Sequence, residues 1–184
     1  MGHTKKALLE IGGQTILDRL LTVYRPMFSE IIISARKAQD FAAWDLPVAE
    51  DRFAARSSLT GIHAGLDAMT TSHGFFAACD APFIQQGLVE RLLAEVEPED
   101  DVIIPLKEDG YREPLCAVYS KRCLDFIVPQ LEREDFKIIR FFGHVRVKEV
   151  PTAKLIEGDP ELLSFFNVNR PDDLAKARRI AESD

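Results

Sequence analysis

Two short apolar runs of this chain end in a carboxylate. Leu46-Pro47-Val48-Ala49 leads into Glu50-Asp51, and Gly74-Phe75-Phe76-Ala77-Ala78-Cys79 ends at Asp80. A carboxylate that follows buried apolar residues must emerge where the strand ends, because burying it without partners is costly. In open α/β sheets ligands bind outside the carboxyl ends of the parallel strands, so both acids stand where a ligand would be met. Lys6, in Lys5-Lys6-Ala7-Leu8-Leu9, is a flexible cation just ahead of apolar residues. Read locally, each also has a plainer role. Asp80 would cap a helix that follows Ala81-Pro82-Phe83, Asp51 would be a solvated turn residue, and Lys6 a solvated lysine.

The other reactive side chains show no comparable arrangement. His3, His63, His73 and His144 are scattered at spacings that fit no metal site and read as surface or packing residues. Ser57 and Ser58 lie outside any Gly-x-Ser-x-Gly elbow, which leaves serine-hydrolase chemistry without support. Cys79, Cys116 and Cys123 are an odd set without a Cys-x-x-Cys pair, which fits reduced thiols and argues against zinc. Gly12-Gly13 marks a turn, and neither Gly-x-x-x-x-Gly-Lys-[Ser/Thr] nor Gly-x-Gly-x-x-Gly occurs.

The elements that must carry Asp51 and Asp80 are legible as alternating helices and strands. Ile16, Leu17, Leu20, Leu21 and Tyr24 recur at three- and four-residue spacing, which predicts an amphipathic helix over 14–24 with Pro26 beyond it. Ile31-Ile32-Ile33-Ser34 is a β-branched run without alternation, the mark of a strand covered on both faces. A short strand over 46–51, a helix over 59–69 through Ile62, Leu66 and Met69, a buried strand over 74–80 and a helix over 84–96 follow. The runs 102–106 and 115–119 read as strands separated by a turn at Asp109-Gly110. Helices are predicted around 123–131 and 136–142. The strict alternation of Val145-Arg146-Val147-Lys148-Glu149-Val150 predicts a half-exposed strand, antiparallel or at an edge. Pro171 at a first helical position, with Asp172 and Asp173 in the first turn, opens a last helix to Ala181. The first half thus reads as a parallel, doubly wound α/β sheet with hairpin-like additions later.

Composition narrows the class. A chain of 184 residues buries roughly 70% of its unfolded surface, so a single domain over 1–184 needs no disulfide or structural metal. The hydrophobic fraction of 46% excludes disorder, and no apolar run has the length of a membrane span. A net charge of −7 disfavours nucleic acid, because phosphate contacts need a basic face. No long apolar region follows Lys5-Lys6, so no secretory signal is read and the expected compartment is the cytoplasm.

Several stretches form an ordered set: Met1-Gly2-His3-Thr4-Lys5-Lys6-Ala7-Leu8-Leu9, Ala49-Glu50-Asp51, Leu59-Thr60-Gly61-Ile62-His63-Ala64-Gly65-Leu66, Cys79-Asp80-Ala81-Pro82-Phe83, Glu113-Pro114-Leu115-Cys116-Ala117-Val118-Tyr119 and Phe166-Asn167-Val168-Asn169-Arg170-Pro171-Asp172-Asp173-Leu174. Together they resemble the molybdenum cofactor guanylyltransferases, in family order and over almost the whole chain. The Leu-x-Gly-Ile-x-Ala-Gly-Leu segment and the Asn-x-Asn-x-Pro-Asp-Asp-Leu ending separate this family from its cytidylyltransferase relatives better than Asp-x-Pro-Phe does.

The resemblance implies a Rossmann-like nucleotidyltransferase, a three-layer αβα fold with a mostly parallel sheet. It also implies transfer of GMP from GTP to the phosphate of molybdopterin, with release of pyrophosphate and with Mg²⁺, or Mn²⁺ in its place, as cofactor. Position by position, Lys6 matches the lysine that contacts the nucleotide phosphates. Ser34 matches a polar strand-end contact to the nucleotide where the family often has Asn. Asp51 matches a nucleotide-contacting aspartate, and Asp80 the metal ligand that also touches GTP, which makes Lys6 and Asp80 the implied catalytic residues. Asn167 and Asn169 match paired asparagines on the molybdopterin side. Arg170 stands where Thr is usual, which removes a hydroxyl able to cap the last helix. The implied partners are GTP and molybdopterin or its molybdenum-bearing form, and the molybdenum-insertion protein or a recipient oxidoreductase, with no nucleic acid and no membrane.

The front of the chain departs from the family pattern. Members begin with a buried strand that runs into Leu-Ala-Gly-Gly-x-Ser-x-Arg-Met-Gly, and Met1-Gly2 aligns with the last two residues of that loop. A strand of about five or six residues and most of the loop are therefore expected to be missing. Because the first strand of a doubly wound sheet is central, two of its neighbours are expected to keep open edges. Two readings from different classes follow. One is an N-terminally incomplete enzyme, with a cytidylyltransferase or another nucleotidyltransferase of the same fold as the close alternative to a guanylyltransferase. The other is a non-catalytic molybdopterin- or partner-binding protein that has lost the phosphate loop. Retention of Lys6, Asp51 and Asp80 together favours the enzyme.

Overall fold

The computed structural model describes residues 6–182, so the Met1–Lys5 stretch of the opening motif, with His3, falls outside the described residues. Lys6–Leu8 form a 3₁₀ turn, and Gly12 and Gly13, at φ 60° and 77°, fold β1 (Glu10–Ile11) back on β2 (Gln14–Thr15). A two-residue hairpin of this kind needs positive φ at both positions, which glycine adopts without a Cβ penalty. Thr15 then caps α1 (Ile16–Tyr24), its hydroxyl oxygen accepting the Asp18 N–H at 3.1 Å. The helix begins later than its apolar spacing predicts because Gln14 and Thr15 are taken up by hairpin and cap.

In chain order there follow β3 (Ile33–Ala35), β4 (Val48–Glu50), α2 (Ser58–Ala68), β5 (His73–Ala77), α3 (Gln86–Ala94), β6 (Val102–Leu106), β7 (Cys116–Ser120), α4 (Leu124–Glu132), β8 (Val147–Pro151) and α5 (Pro171–Ala181). β3 and β4 pair in parallel, with Ser34 opposite Ala49 and Ala35 opposite Glu50. A four-stranded sheet has the order β5-β7-β6-β8. In it β5, β6 and β8 run one way, and β7 alone runs against them.

Side-chain alternation sorts this sheet into two apolar layers. Ile103, Cys116 and Val118 pack with Leu88 and Leu92 of α3 and Ala177 of α5. Their neighbours Val102, Ile104, Ala117 and Tyr119 pack with Leu59, Ile62 and Leu66 of α2 and Ile127 and Leu131 of α4. Each fully buried Leu or Ile is worth roughly 1.5–3 kcal/mol, and both layers can be filled at once only if helices cover both faces. A period of two on the strands and 3.6 on the helices therefore closes as a three-layer αβα sandwich. No helix among the described residues is long and apolar enough to cross a membrane.

α2 bridges the two sheets. A Cβ on Gly61 would lie 3.3 Å from Ser34 Oγ on β3, and one on Gly65 would lie 2.6 Å from Phe76 Cε1 on β5. The absence of side chains one turn apart lets the helix settle onto both. Among the described residues β3 pairs only with β4 and β5 only with β7, so each keeps one open edge. Ile31 and Ile33 pack with Ala7, Leu17 and Leu21, and Ile32 packs with the opposite layer, so the β-branched run is covered on both faces, though only partly buried.

Two local readings change, and one alternative is decided. β8 is an edge strand, the second of the two placements its alternation allows, and it runs parallel to β6. Alternation reports which face is covered and carries no information on strand direction. The apolar stretch predicted as a helix over 136–142 is a 3₁₀ helix, Ile138–His144. Apolar residues three apart suit either helix type. The strand predicted over 74–80 is His73–Ala77, and its last residues leave the sheet as a turn.

Candidate active site

The turn after β5 puts Asp80 at the edge of the sheet. Ala78 N–H donates to Leu115 O of the strand-like segment beside it at 3.0 Å, and Asp80 O accepts the Val168 N–H at 2.8 Å. That second bond ties the end of β5 to the Asn167-Val168-Asn169 segment, whose Val168 is fully buried. The Asp80 side chain is 17% exposed. Its Oδ2 accepts from Lys6 Nζ at 2.7 Å, and Lys6 Nζ also donates to Asn169 Oδ1 at 2.5 Å. Three of the residues singled out in the sequence, at positions 6, 80 and 169, thus form one hydrogen-bonded cluster. Asp80 does not cap a helix, because α3 starts at Gln86 with Gln85 as its N-cap.

Asn169 is itself held from α5. Asp173 Oδ2 accepts the backbone N–H groups of Arg170 at 2.7 Å and Asn169 at 2.9 Å. These two bonds keep the Asp173 carboxyl below its ordinary pKa. A hydroxyl at position 170 would accept an N–H of the first helical turn; Asp173 makes the complementary bond, from that turn back to the Arg170 N–H. Asn167 takes no part in the cluster, and its Nδ2 donates to Phe165 O at 3.3 Å.

Part-exposed ion pairs such as Lys6–Asp80 contribute only about 0.2–1 kcal/mol to stability, so the cluster is poorly explained as a structural device. Its chemical capacity is larger. An ammonium has three donors; among the described residues Asp80 and Asn169 use two, which leaves the third for a phosphate oxygen. Among the described residues only Oδ2 of Asp80 is engaged. No group of three or more His, Cys, Asp or Glu able to hold a metal occurs among the described residues. A lone carboxylate suits a divalent ion that brings its other oxygens with it, as a nucleotide triphosphate complex does.

Ser34 lies in β3, and Asp51 directly follows β4, the strand paired with it. Ser34 is exposed beside Gly61. Asp51 N–H donates to Ala35 O at 3.3 Å, while its Oδ1 is buried without a hydrogen-bond partner among the described residues. Burial raises the Asp51 carboxyl above its ordinary pKa, against the opposing pull of Arg36 and His63. Asp51 lines a cleft of about 480 Å³ with Arg36, Arg56, Ser57 and Ser58. Sequence reasoning missed the two arginines, because nothing in their local pattern joins residues 20 positions apart. Ser57 is the N-cap of α2, its Oγ accepting the Thr60 N–H at 3.1 Å. The Lys6–Leu8 turn links β3 to Asp80: Ala7 packs in the cluster that holds Ile31 and Ile33, while Lys6 reaches Asp80.

The described histidines are surface or packing residues, as read from the sequence. His63 is buried edge-on to Phe53 with ring centroids 5.0 Å apart, His73 Nε2 bonds Asp100 O at 2.9 Å, and His144 stacks on Phe126.

Residues 1–146 match the MobA-like NTP transferase domain. The molybdenum cofactor guanylyltransferase of Desulfosudis oleivorans is 36% identical over 176 residues, which are 96% of this chain and 87% of that protein. A probable molybdenum cofactor guanylyltransferase of Natranaerobius thermophilus is 34% identical over 181 residues, 96% of this chain and 88% of that protein. The crystal structure of molybdopterin-guanine dinucleotide biosynthesis protein A from Archaeoglobus fulgidus superposes with a TM-score of 0.83 at 26% identity, covering 98% of this chain and 92% of that one. A domain match over most of the chain, likeness above 30% identity over 96% of it and a shared αβα architecture agree: the chain belongs to the MobA-like NTP transferases, among the molybdenum cofactor guanylyltransferases, a family of nucleotidyltransferase enzymes.

Proposed function

We propose that this protein transfers GMP from GTP to the phosphate of molybdopterin, forming the guanine dinucleotide cofactor and pyrophosphate. The observation that carries the reading is the Lys6–Asp80–Asn169 cluster at the end of β5, in a chain whose relatives are named guanylyltransferases. Those names favour it over a cytidylyl transfer and over a binding-only protein.

A phosphate oxygen of molybdopterin attacks the α-phosphorus of GTP, the bond from that phosphorus to the β-phosphate breaks, and pyrophosphate leaves with its electron pair. The attacking group is already an anion, so no general base is needed. The protein's task is to hold both substrates in line and offset the charge that gathers between them. Lys6 donates to the triphosphate with the N–H left free by Asp80 and Asn169. Asp80 is the residue that would hold a divalent cation, Mg²⁺ or Mn²⁺, which supplies charge neutralisation at the phosphates when bound. Ser34 and Asp51 contact the nucleoside. Asn169, and Asn167 beside it, face the molybdopterin side, with the molybdenum-insertion protein or a recipient oxidoreductase as transient partners.

Pyrophosphate release, with molybdopterin as acceptor and GTP compared with CTP, tests the reading. Transfer that needs GTP and a divalent cation, and that Asp80→Ala abolishes with the fold intact, supports it. Preference for CTP, or undiminished transfer by Asp80→Ala, overturns it.

A further inference from the structure

The segment that leads into Asn167 is built around a buried acid. Asp159 is 1% exposed, and a carboxylate taken out of water is costly unless its oxygens find donors. Both do: Oδ1 accepts the Leu163 N–H at 3.0 Å and Oδ2 the Ser164 N–H at 2.7 Å, at the start of the 3₁₀ turn Leu163–Phe165. Leu162, just before it, stands at φ 51°, a left-handed conformation that side chains rarely adopt and that persists only where surrounding contacts impose it. The segment is also tied to the helix after Asp80. Ser164 Oγ accepts the N–H of Gln85, the N-cap residue of α3, at 2.9 Å, and Gly158 lies so close to Gly87 that a Cβ on it would collide with the Gly87 backbone. At the far end of the turn, Phe165 O accepts from Asn167 Nδ2 at 3.3 Å. A continuous chain of hydrogen bonds and backbone thus runs from the Asp159 carboxylate to the Asn167 side chain.

We propose that Asp159 is a positioning residue for the acceptor substrate: through the Leu163–Phe165 turn it sets the place and direction of the Asn167 amide. The inference rests on the proposed transfer, which puts Asn167 on the molybdopterin side, and adds to it the group that holds Asn167 there. Two anchors divide the Asn167-Val168-Asn169 strip. Asp173 holds the Asn169 end, which accepts from Lys6, and Asp159 holds the Asn167 end, with the Val168–Asp80 backbone bond between them. Because Phe165 O takes one amide hydrogen, Asn167 presents its Oδ1 and second N–H to a ligand in a fixed direction. An amide ordered before binding does not lose its rotamer freedom when the ligand arrives, so preorganisation is felt as affinity. A brace needed for stability alone would not require an acid here, since Leu162, Leu163, Phe165 and Phe166 already pack into the core that holds Leu88 of α3.

The test is a double-mutant cycle on the whole chain: Asp159→Asn, Asn167→Ala and both together, with KM for molybdopterin and KM for GTP measured separately and thermal melting to establish the folded fraction. Asparagine at 159 keeps the shape but sets an NH₂ group against one of the two backbone N–H groups. Asp159→Asn is expected to raise KM for molybdopterin roughly three- to tenfold and hardly to move KM for GTP. The double variant is expected to be no worse on molybdopterin than Asn167→Ala alone. If Asp159→Asn does not fold, Ser164→Ala takes its place, and loss of the Gln85 tie should give the same split between the two KM values, again without adding to Asn167→Ala. Four outcomes overturn the inference: unchanged KM values with only a smaller folded fraction, equal rises for both substrates, effects on molybdopterin that multiply in the double variant, and an Asn167→Ala variant with the parental KM. A preference for CTP as donor overturns the guanylyl reading alone, because the cycle on the acceptor runs with either nucleotide. Absence of transfer to molybdopterin from any nucleotide removes both.

Discussion

Asp173 Oδ2 accepts the backbone N–H of Asn169 at 2.9 Å, and the Asn169 side chain accepts from Lys6 at 2.5 Å. The first turn of α5 is thereby coupled to the cation at the end of β5. Asp173→Ala removes the acceptor and leaves the Asn169 and Arg170 N–H groups to water. Its expected effects are a lower Tm near neutral pH and a raised KM for GTP, with kcat less affected. The folded Asp173 carboxyl has a depressed pKa, so its stabilisation is present above the unfolded value of about 3.9 and is lost as pH falls through the folded value. Thermal melts of parent and variant should therefore differ near neutral pH and converge in strong acid.

Lys6 is expected to act on the triphosphate and hardly at all on folding. Lys6→Met loses a charge-assisted hydrogen bond of about 1.5–3 kcal/mol, a fall in kcat/KM of roughly ten- to hundredfold, whereas its change in unfolding free energy stays within about 1 kcal/mol because the ion pair with Asp80 is part-exposed. Lys6→Arg should not restore activity, since a planar guanidinium cannot take the place of a compact ammonium between Asp80 and Asn169. Steady-state kinetics beside denaturant melts separate the two effects, and a large loss of stability in Lys6→Met would make Lys6 a structural residue.

Asp51 should show a conflict between stability and binding. Its carboxyl pKa is raised by burial, so the folded state tolerates its neutral form better than its charged one. A raised folded pKa gives stability that is full below the unfolded value and is lost as pH rises through the folded value. Asp51→Asn, which cannot ionise, is expected to raise Tm near neutral pH, to leave it unchanged at about pH 3, and to weaken GTP binding. Melting curves across that range, with GTP titrations alongside, check all three.

What the sequence made legible follows from local physics. An unbroken apolar run identifies β6, period-3.6 patterns identify α1 and α3, and Pro171 with Asp172 and Asp173 marks α5 at its observed bounds. Asp80 stands out because a carboxylate after Phe75-Phe76-Ala77-Ala78 has to leave the sheet. Strand direction is different, because the alternation along 145–150 is the same whether β8 runs with β6 or against it. The Asp51 cleft is also illegible locally: Arg36 and Arg56 meet there only because β3 and β4 pair in register and α2 starts beside them. The family resemblance brings Lys6, Asp80 and Asn169 together on paper, and their hydrogen bonds depend on the Val168–Asp80 backbone link.

Gly65 tests how α2 joins the two sheets. A Cβ at that position would sit 2.6 Å from Phe76 Cε1 and 3.2 Å from Cζ, nearer than packed carbons approach, whereas one on Gly61 would meet Ser34 Oγ at 3.3 Å. Phe76 is fixed edge-on against buried Tyr119, with centroids 5.5 Å apart, so its ring cannot swing aside freely. Gly65→Ala should therefore cost about 1–3 kcal/mol as overpacking, offset in part by the better helix propensity of alanine. Gly61→Ala should leave stability nearly unchanged, since a short hydroxyl side chain can give by a few tenths of an ångström, but it should weaken GTP binding by displacing Ser34. Urea unfolding of both variants beside GTP titrations reads the contrast. Equal stability losses would mean that α2 adapts as a rigid body, and a Gly61→Ala variant with parental GTP affinity would remove Ser34 from the nucleotide site.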